Sequence, residues 1–135
     1  MAAPRQITGI LIDPYERTVT QVQIDATMES YYRALHCSTV ESAYIFGRDA
    51  NFCYVDEEGL MGGQSCGFET QGGALVMGRG LVLRDGPRGT TASTSLTVEK
   101  VRAQIVNWIG EPEFDVDALV EEELLNANPL FGQFG

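Results

Sequence analysis

One histidine, His36, is the entire imidazole supply of this 135-residue chain. Histidine-centred acid–base chemistry would run on that residue alone, at the end of what reads as a helix. Cysteine is nearly as sparse. Cys37, Cys53 and Cys66 stand 16 and 13 positions apart, with no CxxC pair. A zinc site needs ligand pairs at short spacing, and His36 beside Cys37 does not supply one, because adjacent helical side chains point different ways. The three cysteines read as small hydrophobes in a reducing compartment. No G-x-S-x-G, H-E-x-x-H or G-x-G-x-x-G occurs, so the commonest hydrolase, metalloprotease and dinucleotide signatures are absent. No run of about 18 apolar residues occurs either, which excludes a membrane-spanning helix. The first residues hold one arginine and then an apolar stretch broken by Gly9 and Asp13, unlike a secretory leader. The expectation is a soluble, cytoplasmic protein without cofactor or metal.

Basic residues are unevenly missing. From Glu111 onward there are seven acids and no Lys or Arg, so the first 110 residues carry a net charge of −3 and the whole chain −10. Phosphate-backbone binding needs clustered cations, so nucleic acid is not an expected partner. The acidic end fits a docking segment for a basic protein partner; a solvated helix face that aids solubility is the commoner use of such a segment.

The 44% hydrophobic content is that of an ordinary globule, and this length makes one domain with a genuine core. Residues 6–12 (QITGILI) read as a strand, Asp13-Pro14 as a turn start, and 17–24 (RTVTQVQI) as an alternating strand, together an antiparallel hairpin. Asp25 reads as a helix N-cap, followed by a stripe of Met28, Tyr31, Tyr32 and Leu35. Strands follow at 40–46 and 51–55, separated by a turn at 47–49. Residues 56–59 (DEEG) read as a polar hairpin tip between Tyr54-Val55 and Leu60-Met61. Asp caps the turn and Gly59 supplies a positive φ. Contiguous acids do not make the spaced ligand pattern of a hard-cation loop.

Residues 62–73 hold five glycines and read as a loop, a class of segment that often carries function. Short apolar runs at 74–77 and 81–83 flank Gly78-Arg79-Gly80. Residues 73–80 have the glycine spacing of a phosphate loop without its Lys and Ser/Thr. Residues 85–89 (DGPRG) form a turn. Thr97 then caps the clearest amphipathic helix, with Val98, Val101, Ile105, Trp108 and Ile109 on one face, stopped by Gly110 and Pro112. An acidic helix is expected over 115–125, halted at Asn128-Pro129, and the end carries Phe131 and Phe134.

The expected architecture is α+β: a mostly antiparallel sheet of five to six strands with a long helix at 98–109 packed on it. A short helix follows the first hairpin, and an acidic helical tail spans 111–135 outside a compact 1–110 domain. Four segments, LIDPYERTVTQVQID, YVDEEGL, GALVMGRGLVL and SLTVEKVRAQI, resemble a domain-of-unknown-function family of small phage, plasmid and proteobacterial proteins. The resemblance spans roughly residues 7–106. It implies a compact α+β fold and a mobile-element setting, and it implies no catalytic residues.

Two functional expectations follow. The first is a non-enzymatic accessory protein that binds a macromolecular partner, such as a host defence or regulatory protein, through Glu121, Glu122, Glu123, Phe131 and Phe134. The alternative is a binder of a phosphorylated nucleotide, in which Arg79, Arg84 and Arg88 cluster beside the glycine-rich loop. Those arginines would otherwise neutralise acids or face solvent. A homo-oligomer fits either reading.

Overall fold

The computed structural model describes residues 5–46 and 50–111. The first hairpin forms as the alternation predicts, with β1 (Gln6–Asp13) against β2 (Thr18–Asp25). Asp13 holds its turn: Oδ1 accepts from the Tyr15 and Glu16 amides at 2.9 and 3.3 Å. Next come α1 (Met28–Leu35), β3 (Val40–Ala43) and β4 (Asn51–Asp56). The remaining strands are β5 (Gly67–Thr70), β6 (Leu75–Met77), β7 (Gly80–Asp85) and β8 (Thr91–Ala92). The described chain closes with α2 (Val98–Gln104) and β9 (Ile105–Ile109).

The strands build two antiparallel sheets. One has the order β2-β1-β7-β4-β3, with β8 on β7; the other has the order β6-β5-β9. The larger sheet is covered on both faces, which is why β1, β4 and β7 look almost continuously apolar. Ile10, Ile12, Cys53, Val55 and Val82 point to one side, where Phe68, Val76, Val101 and Trp108 meet them from the second sheet and α2. Ile7, Phe52, Leu81 and Leu83 point to the other, where α1 lays Tyr31 and Leu35. Each such side chain fully buried contributes about 1.5–3 kcal/mol. Phe52 meets Tyr54 edge-on, with ring centroids 4.7 Å apart, a favoured quadrupole arrangement.

Two local expectations are corrected. Thr27, not Asp25, caps α1: its side chain accepts from the Ser30 amide at 3.2 Å. Asp25 instead ends β2 and accepts from Gln6 Nε2 at 2.7 Å. The long helix at 98–109 does not exist. Thr97 caps a helix that ends at Gln104, and residues 105–109 run on as β9, paired to β5 through Gly67↔Ile109 and Phe68↔Trp108. Ile105, Val106 and Ile109 are β-branched, lose side-chain freedom in a helix and suit a pleated surface. The open edge of β5 supplies backbone partners that a free helix end would miss. The turn expected at 47–49 and the C-terminal helix expected at 115–125 lie outside the described residues.

Candidate functional site

Two concave surfaces flank the acidic turn. β3 ends the larger sheet and β6 ends the smaller one, so each has an edge without a partner strand among the described residues. Between them lies a groove of about 250 Å³. Its walls are apolar, with Ala43 and Ile45 on the β3 side, Val55 beneath, and Leu75, Val76 and Met77 on the β6 side. Glu41, Asp56 and Glu57 stand around it. At one end Leu60 and Met61 are 67% and 86% exposed, and Leu75 in the wall is 48% exposed. Adjacent exposed apolar side chains on a small monomer mark an interaction surface more often than chance placement.

The DEEG turn shapes that groove. Asp56 Oδ1 accepts from the Glu58 amide at 2.9 Å, and its Oδ2 accepts from Gln64 Nε2 at 2.8 Å. That side chain therefore organises the turn, as its position between strand and glycine predicts. The hairpin expected around it does not form. Gly59, Leu60 and Met61 make a single 3-10 turn instead, and the apolar pair faces solvent. The reason for Gly59 also differs from a positive φ. A Cβ there would sit 2.2 Å from the Met77 carbonyl oxygen, so glycine is required by close approach to β6. The left-handed residue is Gly62, at φ 102°.

The second surface is a polar cleft of about 680 Å³, lined by Tyr15, His36, Arg79 and the loop residues 62–65. Arg79 lies over the Tyr15 ring, 4.5 Å from its centroid, and its Nε is 3.4 Å from Asp13 Oδ2. The Tyr15 hydroxyl bonds Gln64 Oε1 and accepts from the Ser65 amide. The first β-hairpin, the glycine-rich loop and the start of β7 are thus tied by one network. His36 joins the cleft because it closes α1 in the left-handed region, at φ 52°.

The expected arginine cluster is corrected. Arg79 lines the cleft, whereas Arg84 is exposed near the far end of β7 and donates through Nε to the Ser93 carbonyl at 3.1 Å. Arg88 is exposed in the turn beyond. Five residues of nearly extended chain separate Arg79 from Arg84, roughly 17 Å. Sequence neighbours in a strand are carried apart by the rise per residue, so proximity in the chain is not a shared site. Glu121, Glu122, Glu123, Phe131 and Phe134 lie outside the described residues. Among the cysteines, Cys53 is fully buried and burial pushes its thiol up to about 12, which holds it protonated. Burial also raises Cys37. A reactive thiolate needs the opposite shift. Sequence reasoning missed the groove entirely. Its one signal in the sequence is the apolar Leu60-Met61 pair directly after the acids, which a hairpin would place at the start of a strand. No helix among the described residues is long and apolar enough to cross a membrane.

A family model described as Domain of unknown function (DUF3846) matches residues 7–109. No curated protein matches the chain. No solved structure matches it either.

Proposed function

The chain belongs to the Domain of unknown function (DUF3846) family, and from its surfaces we propose a non-enzymatic accessory protein that binds an extended, basic-flanked segment of a protein partner. The observation that supports this reading is the apolar groove between the unpaired edges of β3 and β6. An extended peptide laid along either edge gains main-chain hydrogen bonds, and its alternate side chains reach the groove walls. Glu41 and Glu57 at the rim favour Lys or Arg on the incoming segment and disfavour acids. The acid-rich end at Glu121, Glu122 and Glu123 strengthens the long-range field that draws a basic partner in. Phe131 and Phe134 add aromatic side chains of the kind enriched at protein interfaces. In the mobile-element setting that the resemblance implies, a host regulatory or defence protein would be the natural class of target.

The test uses the 15N-labelled full chain and synthetic peptides with alternating apolar residues, flanked by lysines in one set and glutamates in the other. Saturable shifts along β3 and β6 with the lysine set, weakened at least about tenfold by Leu75→Glu, are the expected result on the affinity scale. Equal binding of the glutamate set would reject the reading. So would loss of binding on removal of residues 111–135 with Leu75→Glu unaffected, which would place the interface in the tail alone.

A further inference from the structure

The cleft carries a separate inference. The Arg79 side chain is only 11% exposed and that of Asp13 13%. A guanidinium has five N–H donors, yet among the described residues Arg79 has one ionic partner, reached through Nε, and one aromatic face. Arg79 is half-buried, and among the described residues none of its nitrogens is both buried and unpartnered. Its remaining donors therefore open onto the polar cleft that Arg79 lines. Its orientation is already set, by the ring of Tyr15 beneath it and by Asp13 beside it. Asp13 is in turn held by two backbone amides of its own turn. The loop opposite keeps the approach open: a Cβ at Gly62 would meet nothing within 4 Å. His36 and Ser65 also line the cleft.

We propose that this cleft binds the oxyanion of a small molecule, a phosphate or a carboxylate, through the two terminal nitrogens of Arg79. A planar fork matches two acceptor oxygens, and charge-assisted pairs of this type are about twice as strong as neutral ones. Preorganisation lowers the ordering cost of binding, because the side chain loses little further freedom. One face of Tyr15 is already covered by Arg79, and the ring is buried. Recognition therefore centres on the anionic group, and one arginine carries it, where a three-arginine cluster would grip a polyphosphate. The site lies apart from the β3–β6 groove, so peptide binding there and anion binding here fail independently.

The experiment is a titration of the 15N-labelled full chain with inorganic phosphate, with acetate and with adenosine monophosphate, at constant ionic strength held by chloride. Saturable shifts at Gly62, Gly63, Ser65 and the Arg79 side chain are expected with at least one of the three probes. Saturation by phosphate and the monophosphate assigns a phosphate ligand, and saturation by acetate alone assigns a carboxylate. Arg79→Lys keeps the charge beside Asp13 and removes the fork, and it should weaken binding by about tenfold or more. Ser65→Glu leaves the Asp13–Arg79 pair untouched, introduces a carboxylate at the cleft and should abolish saturation; this variant carries the test if Arg79→Lys does not fold. Arg84→Gln should bind within about twofold of the parent, since that residue lies at the other end of its strand. Linear, non-saturating shifts with all three probes would overturn the proposal, as would unchanged binding in Ser65→Glu or an equal loss in Arg84→Gln.

Discussion

Substituting Gly59 by alanine isolates the contact on which the groove depends. The added methyl would begin 2.2 Å from the Met77 carbonyl oxygen and 3.1 Å from its carbonyl carbon. The obstacle is backbone, so no side-chain rotation relieves it. Either the 3-10 turn or β6 must retreat by about an ångström to restore ordinary contact, and overpacking of this kind costs about 1–3 kcal/mol. For a domain of this size each kilocalorie lowers the melting temperature by about 3–5 °C. The matched control is Gly62→Ala. It meets no atom but forces φ 102° on an L-residue, at a cost of about 1–2 kcal/mol. Urea unfolding will place both variants below the parent, and amide shifts separate them. Gly59→Ala should move Leu75, Val76 and Met77 and weaken peptide binding in the groove; Gly62→Ala should leave β6 in place. A Gly59→Ala protein with unchanged stability and unshifted β6 amides would refute the close-approach argument.

Three further outcomes follow from the same structure. Val106 is 51% exposed on β9, so Val106→Ala, which raises helix propensity and lowers strand propensity, should destabilise by up to about 1 kcal/mol in urea unfolding; a stabilised variant would favour a helix there. Thr97 accepts from the Lys100 amide at 3.2 Å as the cap of α2, and Thr97→Ala should cost about 1 kcal/mol, with no loss meaning the cap contributes nothing. Cys53 keeps its proton to about 12 in the fold, against 9.0 when free, so its stabilising contribution is complete below pH 9.0 and is lost as pH rises toward 12. Between those values the unfolded thiol ionises first, and stability should fall more steeply with pH in the parent than in Cys53→Ala, by up to about 1.4 kcal/mol per unit. Parallel slopes would contradict the burial argument.

Much of the local structure was legible residue by residue. The first hairpin follows from alternation across Asp13-Pro14, the capping role of Asp56 from its place before a glycine, and the start of α2 from Thr97. Each signal acts within a few residues, where backbone sterics and side-chain capping decide the outcome. Misreadings arose where a distant segment intervened. Ile105, Trp108 and Ile109 fit helical spacing equally well, and only the open edge of β5, some 40 residues earlier, turned them into a strand. Gly59 looked like a turn glycine because the carbonyl it touches belongs to Met77.

The candidate sites divide the same way. That Arg79 belongs near the glycine-rich loop was readable from chain order, while the departure of Arg84 and Arg88 required knowing that β7 runs straight between them. The pairing of Arg79 with Asp13 and Tyr15 joins segments more than sixty residues apart, and no periodicity encodes it. By itself the sequence determined where strands, caps and turns begin and how much apolar surface had to be buried. The tertiary structure alone decided which edges stay unpaired, which glycines meet backbone and which arginine is held in a cleft, because those depend on contacts between segments that chain order does not bring together.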